Sequence, residues 1–167
     1  IFIIDDDPSV RRSFSLLTRS EGYDTETYKN AEEFLNLEDY EGLGCILLDI
    51  FMDGRSGLEL QEEIRNKFVF LPIIYITGQG DVPMSVNALR KGAVNFLQKP
   101  VDGKHLLDAV QEAVNISSEM HQKQAETNGI RSLVNTLTPR EYQVFSCLVT
   151  GMLNKQNASD LGIAEQP

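Results

Sequence analysis

Gly44-Cys45-Ile46-Leu47-Leu48-Asp49 is the stretch on which the fold turns, because an apolar run of four residues ends there abruptly in a carboxylate. Such a run is too short for a helix and suits a strand covered on both faces, as in a parallel sheet. Asp49 then stands at the strand's carboxyl end, the edge where open α/β sheets bind ligands. The next residues, Ile50-Phe51-Met52-Asp53-Gly54-Arg55-Ser56-Gly57, read as a loop whose glycines permit tight turns and close backbone approach. Aspartate also opens ordinary turns, so this position decides nothing by itself.

Working outward, Ile1-Phe2-Ile3-Ile4 is a second short apolar run, ending in Asp5-Asp6-Asp7 before Pro8. Asp7 can cap a helix and Pro8 fits its first position, after which Val10, Phe14 and Leu17 share one face. Gly22 closes that helix. Tyr23 to Tyr28 is a weaker strand, and Asn30-Ala31-Glu32-Glu33 is a variant capping box opening a short helix. Beyond Asp49 a helix is expected from Gly57 to about Asn66. Pro72-Ile73-Ile74-Tyr75-Ile76 is a further strand ending in Thr77 and the loop from Gly78 to Val82. Pro83 starts another helix towards Gly92. Val94-Asn95-Phe96-Leu97 is the last strand, closed by Gln98-Lys99-Pro100, and a helix follows from Gly103. Strands alternating with helices predict a doubly wound α/β parallel sheet of five strands and five helices.

Composition narrows the function classes. At 167 residues, 41% of them hydrophobic, the chain suits one well-buried domain plus a smaller piece. No apolar run approaches the roughly 20 residues of a membrane-spanning helix, and no export signal opens it. Ile1 falls inside an apolar run, so residues are expected before it. Cys45 in a strand and Cys147 on a helical face read as core residues, which fits a reducing cytoplasm. A formal net charge of -10 argues against non-specific nucleic-acid binding by the chain as a whole.

A parallel sheet delivers the strand-end residues Asp5, Asp6, Asp49, Thr77 and Lys99 to one edge. Three clustered carboxylates repel one another and need a compensating cation. An oxygen-ligand set with room for waters fits Mg²⁺ (or Mn²⁺), with the Phe51 backbone carbonyl able to complete it. Lys99 and the Thr77 hydroxyl are donors suited to phosphoryl oxygens, and Asp49 would be the nucleophile that forms an aspartyl phosphate.

Asp5-Asp6, Asp49 with Met52, Ser56-Gly57, Thr77-Gly78 and Lys99-Pro100 together resemble the receiver domain of two-component response regulators. Residues 76–84 and 91–100 are similar to the FixJ subfamily in particular. The resemblance implies a flavodoxin-like (βα)5 sheet of order 2-1-3-4-5, a non-enzymatic phosphoacceptor that catalyses only its own phosphotransfer and dephosphorylation, and a histidine kinase as donor. It implies that Asp49 takes the phosphoryl group, that Asp5, Asp6, Asp49 and the Phe51 carbonyl hold the metal, that Lys99 pairs with phosphoryl oxygens, and that Thr77 and Phe96 rearrange on phosphorylation. Homodimerisation through the Pro83 helix and the Val94 strand is expected to follow. Asp53 stands where such receivers usually have proline and is read as a solvated charge.

Residues 1–116 are read as the receiver and 117–136 as a helical linker, with Asn128-Gly129 as a terminator and an apolar stripe at Ile130, Leu133, Val134 and Leu137. His105 and His121 are read as solvent-facing. Thr138-Pro139-Arg140-Glu141 is a full capping box. Tyr142, Phe145, Val149 and Met152 are expected on a buried face, Gly151 closes that helix, and a second runs from Asn154 through Ala158 and Leu161 to Gly162. Residues 137–167 resemble the start of a LuxR-type helix-turn-helix domain, which implies DNA as partner, with Pro167 falling where the recognition helix begins. Asn157 replaces an aliphatic residue there. Arg140 and Lys155 against Glu141, Asp160 and Glu165 leave this stretch at -1, too little for phosphate affinity alone. Two rivals remain open: a haloacid-dehalogenase-like phosphohydrolase with Asp5 as nucleophile and Asp7 as acid, and a receiver with a protein-binding output.

Overall fold

The computed structural model describes residues 1–38, 40–52, 57–78, 89 and 92–149. Strands β1 (Phe2–Ile4), β2 (Glu26–Tyr28), β3 (Ile46–Asp49), β4 (Ile73–Thr77) and β5 (Asn95–Gln98) form one sheet of order β2-β1-β3-β4-β5. Every pairing is parallel, with Ile4 opposite Leu48 and Asp49 opposite Ile76. Helices α1 (Pro8–Ser20), α2 (Ala31–Leu35), α3 (Gly57–Lys67), α4 (Gly103–Asn135) and α5 (Pro139–Val149) complete the described elements. The Pro83 helix, Asp53, Ser56, Gly80 and Asp81, and all residues from 150 onward, including Gly151, Met152 and the Asn154 helix, lie outside the described residues, as does the Cys147 side chain.

The short strands carry unbroken apolar runs because the pleat divides each between two cores. Phe2, Ile4, Ile46, Leu48, Ile73 and Tyr75 face Phe34 of α2 and Leu60 and Ile64 of α3. Ile3, Leu47, Ile74 and Ile76 face Phe14 and Leu17 of α1 and Leu106, Ala109, Val110 and Ala113 of α4. Alternate side chains point to opposite faces, so in β1, β3 and β4 both faces are dry and no alternation with polar residues remains, whereas the edge strands β2 and β5 stay partly open and carry polar residues. Phe34 is the hub of the first core, with its ring 5.3 Å from Phe2, 5.2 Å from Tyr28 and 4.6 Å from Phe68.

Asp7 caps α1 by accepting from the Ser9 N–H at 2.7 Å, with Pro8 at the first helical position. Gly22 follows at φ +85°, and the Tyr23 N–H returns to the Thr18 carbonyl. That last turn occupies backbone groups a strand from Tyr23 would need, so β2 starts only at Glu26. In α2, Asn30 accepts from Glu33, whose carboxylate reaches back to the Lys29 N–H, one residue earlier than a regular capping box.

Three expectations fail. Asn128-Gly129 does not end the linker helix, because α4 runs on to Asn135 and Gly129 keeps a negative φ. Side-chain bonds from Gln122 to Glu126 and from Gln124 to Asn128 hold the exposed turns across that point. His121 is half-buried and not solvent-facing, its ring 4.4 Å from that of Phe70, while His105 is exposed as expected. His121 lies one turn beyond Ser117, whose hydroxyl donates to the Phe70 carbonyl at 2.7 Å and accepts from the Gly44 N–H, so this face of α4 is turned towards the sheet's lower edge. Finally, Tyr142, Phe145 and Val149 of α5 are exposed and not buried. The α5 cap itself forms, with Glu141 accepting from the Thr138 N–H and hydroxyl.

The chain divides into two compact units between His121 and Gln122. No helix among the described residues is long and apolar enough to cross a membrane.

Candidate functional site

Strands β1, β3, β4 and β5 each deliver a polar residue at the carboxyl end. Asp5 directly follows β1, Asp49 closes β3, Thr77 closes β4, and Lys99 follows β5 after Gln98. The order β2-β1-β3 places β1 and β3 side by side, so the chain reverses its direction of winding there and leaves a crevice at that edge. Asp5 and Asp49 are 2% and 4% exposed, Thr77 is fully buried and Asp6 is exposed. One carboxylate oxygen from each of Asp5, Asp6 and Asp49 falls within a 4.8 Å cluster.

Lys99 joins the two buried carboxylates. Its Nζ lies 2.7 Å from Asp5 Oδ2 and 2.6 Å from Asp49 Oδ2, across 94 and 50 residues of sequence. The remaining oxygens are held by backbone: Asp5 Oδ1 accepts from the Asp7 N–H at 2.9 Å, and Asp49 Oδ1 from the Phe51 N–H at 3.1 Å. The Lys99 N–H extends the β4–β5 ladder by donating to the Thr77 carbonyl at 2.7 Å, so the loop bearing the ammonium is tied to the strand bearing the hydroxyl. The Lys99–Pro100 peptide is cis. Burial raises the Asp5 carboxyl pKa against the opposing Lys99 hydrogen bond. The Lys99 amine is disfavoured as a cation by burial, yet its bonds to Asp49 and Asp5 outweigh this and hold its pKa above the ordinary value.

Among the described residues the cluster sets three carboxylates beside the Lys99 ammonium and offers hard oxygen donors. Such a set matches a divalent cation such as Mg²⁺, which prefers few protein oxygens and retained waters. Phe96, paired with Tyr75 across β4 and β5, packs half-buried against the first core.

Arg11 was not foreseen from the sequence. Its Nη1 donates to the Asp5 carbonyl at 2.6 Å and to the Asp6 carbonyl at 3.0 Å, fastening the acidic loop from the first turn of α1. A basic residue one turn into a helix that follows an acidic run is the signal that was available. The phosphohydrolase rival loses its acid, because Asp7 is committed to capping α1 and its carboxyl pKa is lowered by the Ser9 N–H.

Comparison with known proteins agrees with this architecture. Residues 1–111 match the family described as response regulator receiver domain, and residues 135–166 match the luxR family of bacterial regulatory proteins. Nodulation protein W of Bradyrhizobium diazoefficiens is 41% identical over 165 residues, covering 99% of this chain and 73% of that protein. The low-resolution structure of response regulator StyR is 41% identical with a TM-score of 0.80, covering 98% of this chain and 82% of that one. Full-length FixJ from B. japonicum is 33% identical with a TM-score of 0.65, covering 98% and 80%. A parallel sheet with an acidic, lysine-bridged rim, followed by a match to the luxR family, places this chain among the two-component response regulators that control transcription through a LuxR-type DNA-binding domain.

Proposed function

We propose that Asp49 is the phosphoacceptor. A carboxylate oxygen of Asp49 attacks the phosphorus of a phosphohistidine on the cognate kinase; the P–N bond breaks, the imidazole leaves with its electron pair, and an acyl phosphate remains. Lys99 offsets charge on the phosphoryl oxygens from its position against Asp49 and Asp5. Asp5, Asp6, Asp49 and the Phe51 carbonyl would hold Mg²⁺ (or Mn²⁺), which supplies further neutralisation of phosphoryl charge when bound. The chain catalyses only this transfer and its own dephosphorylation. The observation carrying the reading is the Lys99 ammonium within 2.7 Å of both buried carboxylates.

Phosphorylation adds about -1.5 to -2 charges, and the new oxygens require donors. Thr77, one strand over, moves to supply one, and Phe96 changes rotamer behind it. The receiver spans residues 1–116, the linker 117–136 and the DNA-binding portion 137–167; the protein works in the cytoplasm, and its phosphorylated form dimerises and acts on DNA through the tail.

The test is phosphorylation of the full chain with a small phosphodonor and Mg²⁺, followed by reduction with tritiated borohydride, which expels the phosphate and leaves a labelled homoserine for peptide mapping. Label at Asp49, lost in Asp49→Asn, is the expected result. Label at Asp5 would overturn it.

A further inference from the structure

We infer that Arg11 is a positioning residue for the divalent cation, setting the metal affinity of the rim through the main-chain carbonyls of Asp5 and Asp6. The inference rests on the metal reading above. Consecutive carbonyls of an extended strand point to opposite sides. Those of Asp5 and Asp6 instead meet on one nitrogen, Arg11 Nη1, at 2.6 and 3.0 Å. That nitrogen carries two hydrogens, one for each oxygen. The chain therefore bends where β1 ends: the Asp5 N–H still reaches the Tyr28 carbonyl at 3.2 Å, while Asp5 Oδ1 accepts from the Asp7 N–H across the bend. A straight strand would aim the neighbouring side chains of Asp5 and Asp6 at opposite faces. The bend is what lets both put an oxygen into one 4.8 Å cluster with Asp49.

Arg11 stands against local preference. It is the fourth residue of α1, where the helix macrodipole opposes a cation, and no acidic residue lies in that first turn. Its half-buried side chain is committed to oxygens five and six residues back. Departures from local rules of this kind gather at functional sites. Charge and position also predict opposite signs for its removal. As a cation beside the rim, Arg11 repels a divalent ion, so loss of its charge alone would tighten binding. Loss of its hold on the two carbonyls would let mutually repelling carboxylates spread, which weakens binding. A role confined to stability leaves the affinity of the folded chain unchanged.

The test is titration of the full chain with Mn²⁺, the free ion being counted by electron paramagnetic resonance and folding verified by far-UV dichroism. Arg11→Met keeps the stem and removes the guanidinium, and it should raise the Mn²⁺ dissociation constant about tenfold. Arg11→Lys retains donors for the carbonyls and should return to within about threefold of the parent. Phosphorylation of Arg11→Met by a small donor should need about tenfold more Mg²⁺ for half its maximal rate, with that maximum within about twofold of the parent. If Arg11→Met does not fold, Arg11→Gln, whose amide is too short to reach both carbonyls, carries the same expectation. An unchanged or lowered constant in the folded variant, while Asp6→Asn abolishes binding, overturns the inference and leaves the metal site standing. A parent and Asp6→Asn that bind Mn²⁺ alike overturn the metal reading and the inference with it.

Discussion

One helix serves two environments. In its first turns Leu106, Val110 and Ala113 are fully buried against the sheet, and Ser117 and His121 continue that contact by a hydroxyl bridge and a stacked ring. In its last turns Ile130 and Leu133 stand in solvent. Composition does not separate the halves, since both carry branched apolar residues at helical spacing. What separates them is a neighbouring surface: the sheet covers the first half, and the described residues of the second unit leave the far half largely open. The same contrast recurs between Phe34, sealed among three rings, and Phe145 of α5, 39% exposed.

The sharpest way to break this comparison is to truncate both phenylalanines. Phe34→Ala should cost about 3–5 kcal/mol and Phe145→Ala less than about 1 kcal/mol, read from urea midpoints. Equal losses would mean that the tail has a core of its own.

Next in size is the rim. Lys99→Ala should lower the rate of Asp49 phosphorylation by roughly 10²-fold while leaving α5 helicity unchanged, measured by small-donor labelling and dichroism. A rate within about twofold of the parent would remove Lys99 from the chemistry.

Ser117→Ala tests where the buried half ends. Removing the hydroxyl strands the Gly44 N–H and the Phe70 carbonyl, so about 1–3 kcal/mol should be lost from the first unit. Thr138→Ala, by contrast, deletes an exposed cap and should cost about 1 kcal/mol, confined to unfolding of the tail.

The smallest effect concerns pH. The Ser9 N–H lowers the Asp7 carboxyl pKa from 3.8, so this cap stabilises α1 fully above that value and loses the contribution as pH falls through the lowered one. The stability gap between the parent and Asp7→Ala should therefore narrow at acid pH, and a gap that widens would contradict the capping role.

Much of the site was legible because strand ends announce themselves. Ile4 to Asp5, Leu48 to Asp49 and Ile76 to Thr77 are abrupt changes from apolar to polar, and a parallel sheet must bring such ends together. Arg11 was harder to read because its contacts are to main-chain carbonyls, so its place one turn into a helix after an acidic run is the sole trace it leaves in the sequence. Gly129 misled for a related reason: a glycine permits a helix stop without imposing one, and the side-chain ladder around it favoured continuation. His121 was misjudged because only the fold brings Phe70 to its face.

Local residue order thus determined the helix caps, the apolar strand runs and the identity of the polar residues that end them, since these depend on neighbours a few positions away. The tertiary structure alone decided which of those residues touch: that one ammonium bridges Asp5 and Asp49, that Arg11 fastens the acidic loop, and that α4 is buried at one end and open at the other. Contacts across 50 or 94 residues are set by strand order and register, and no local interaction encodes either.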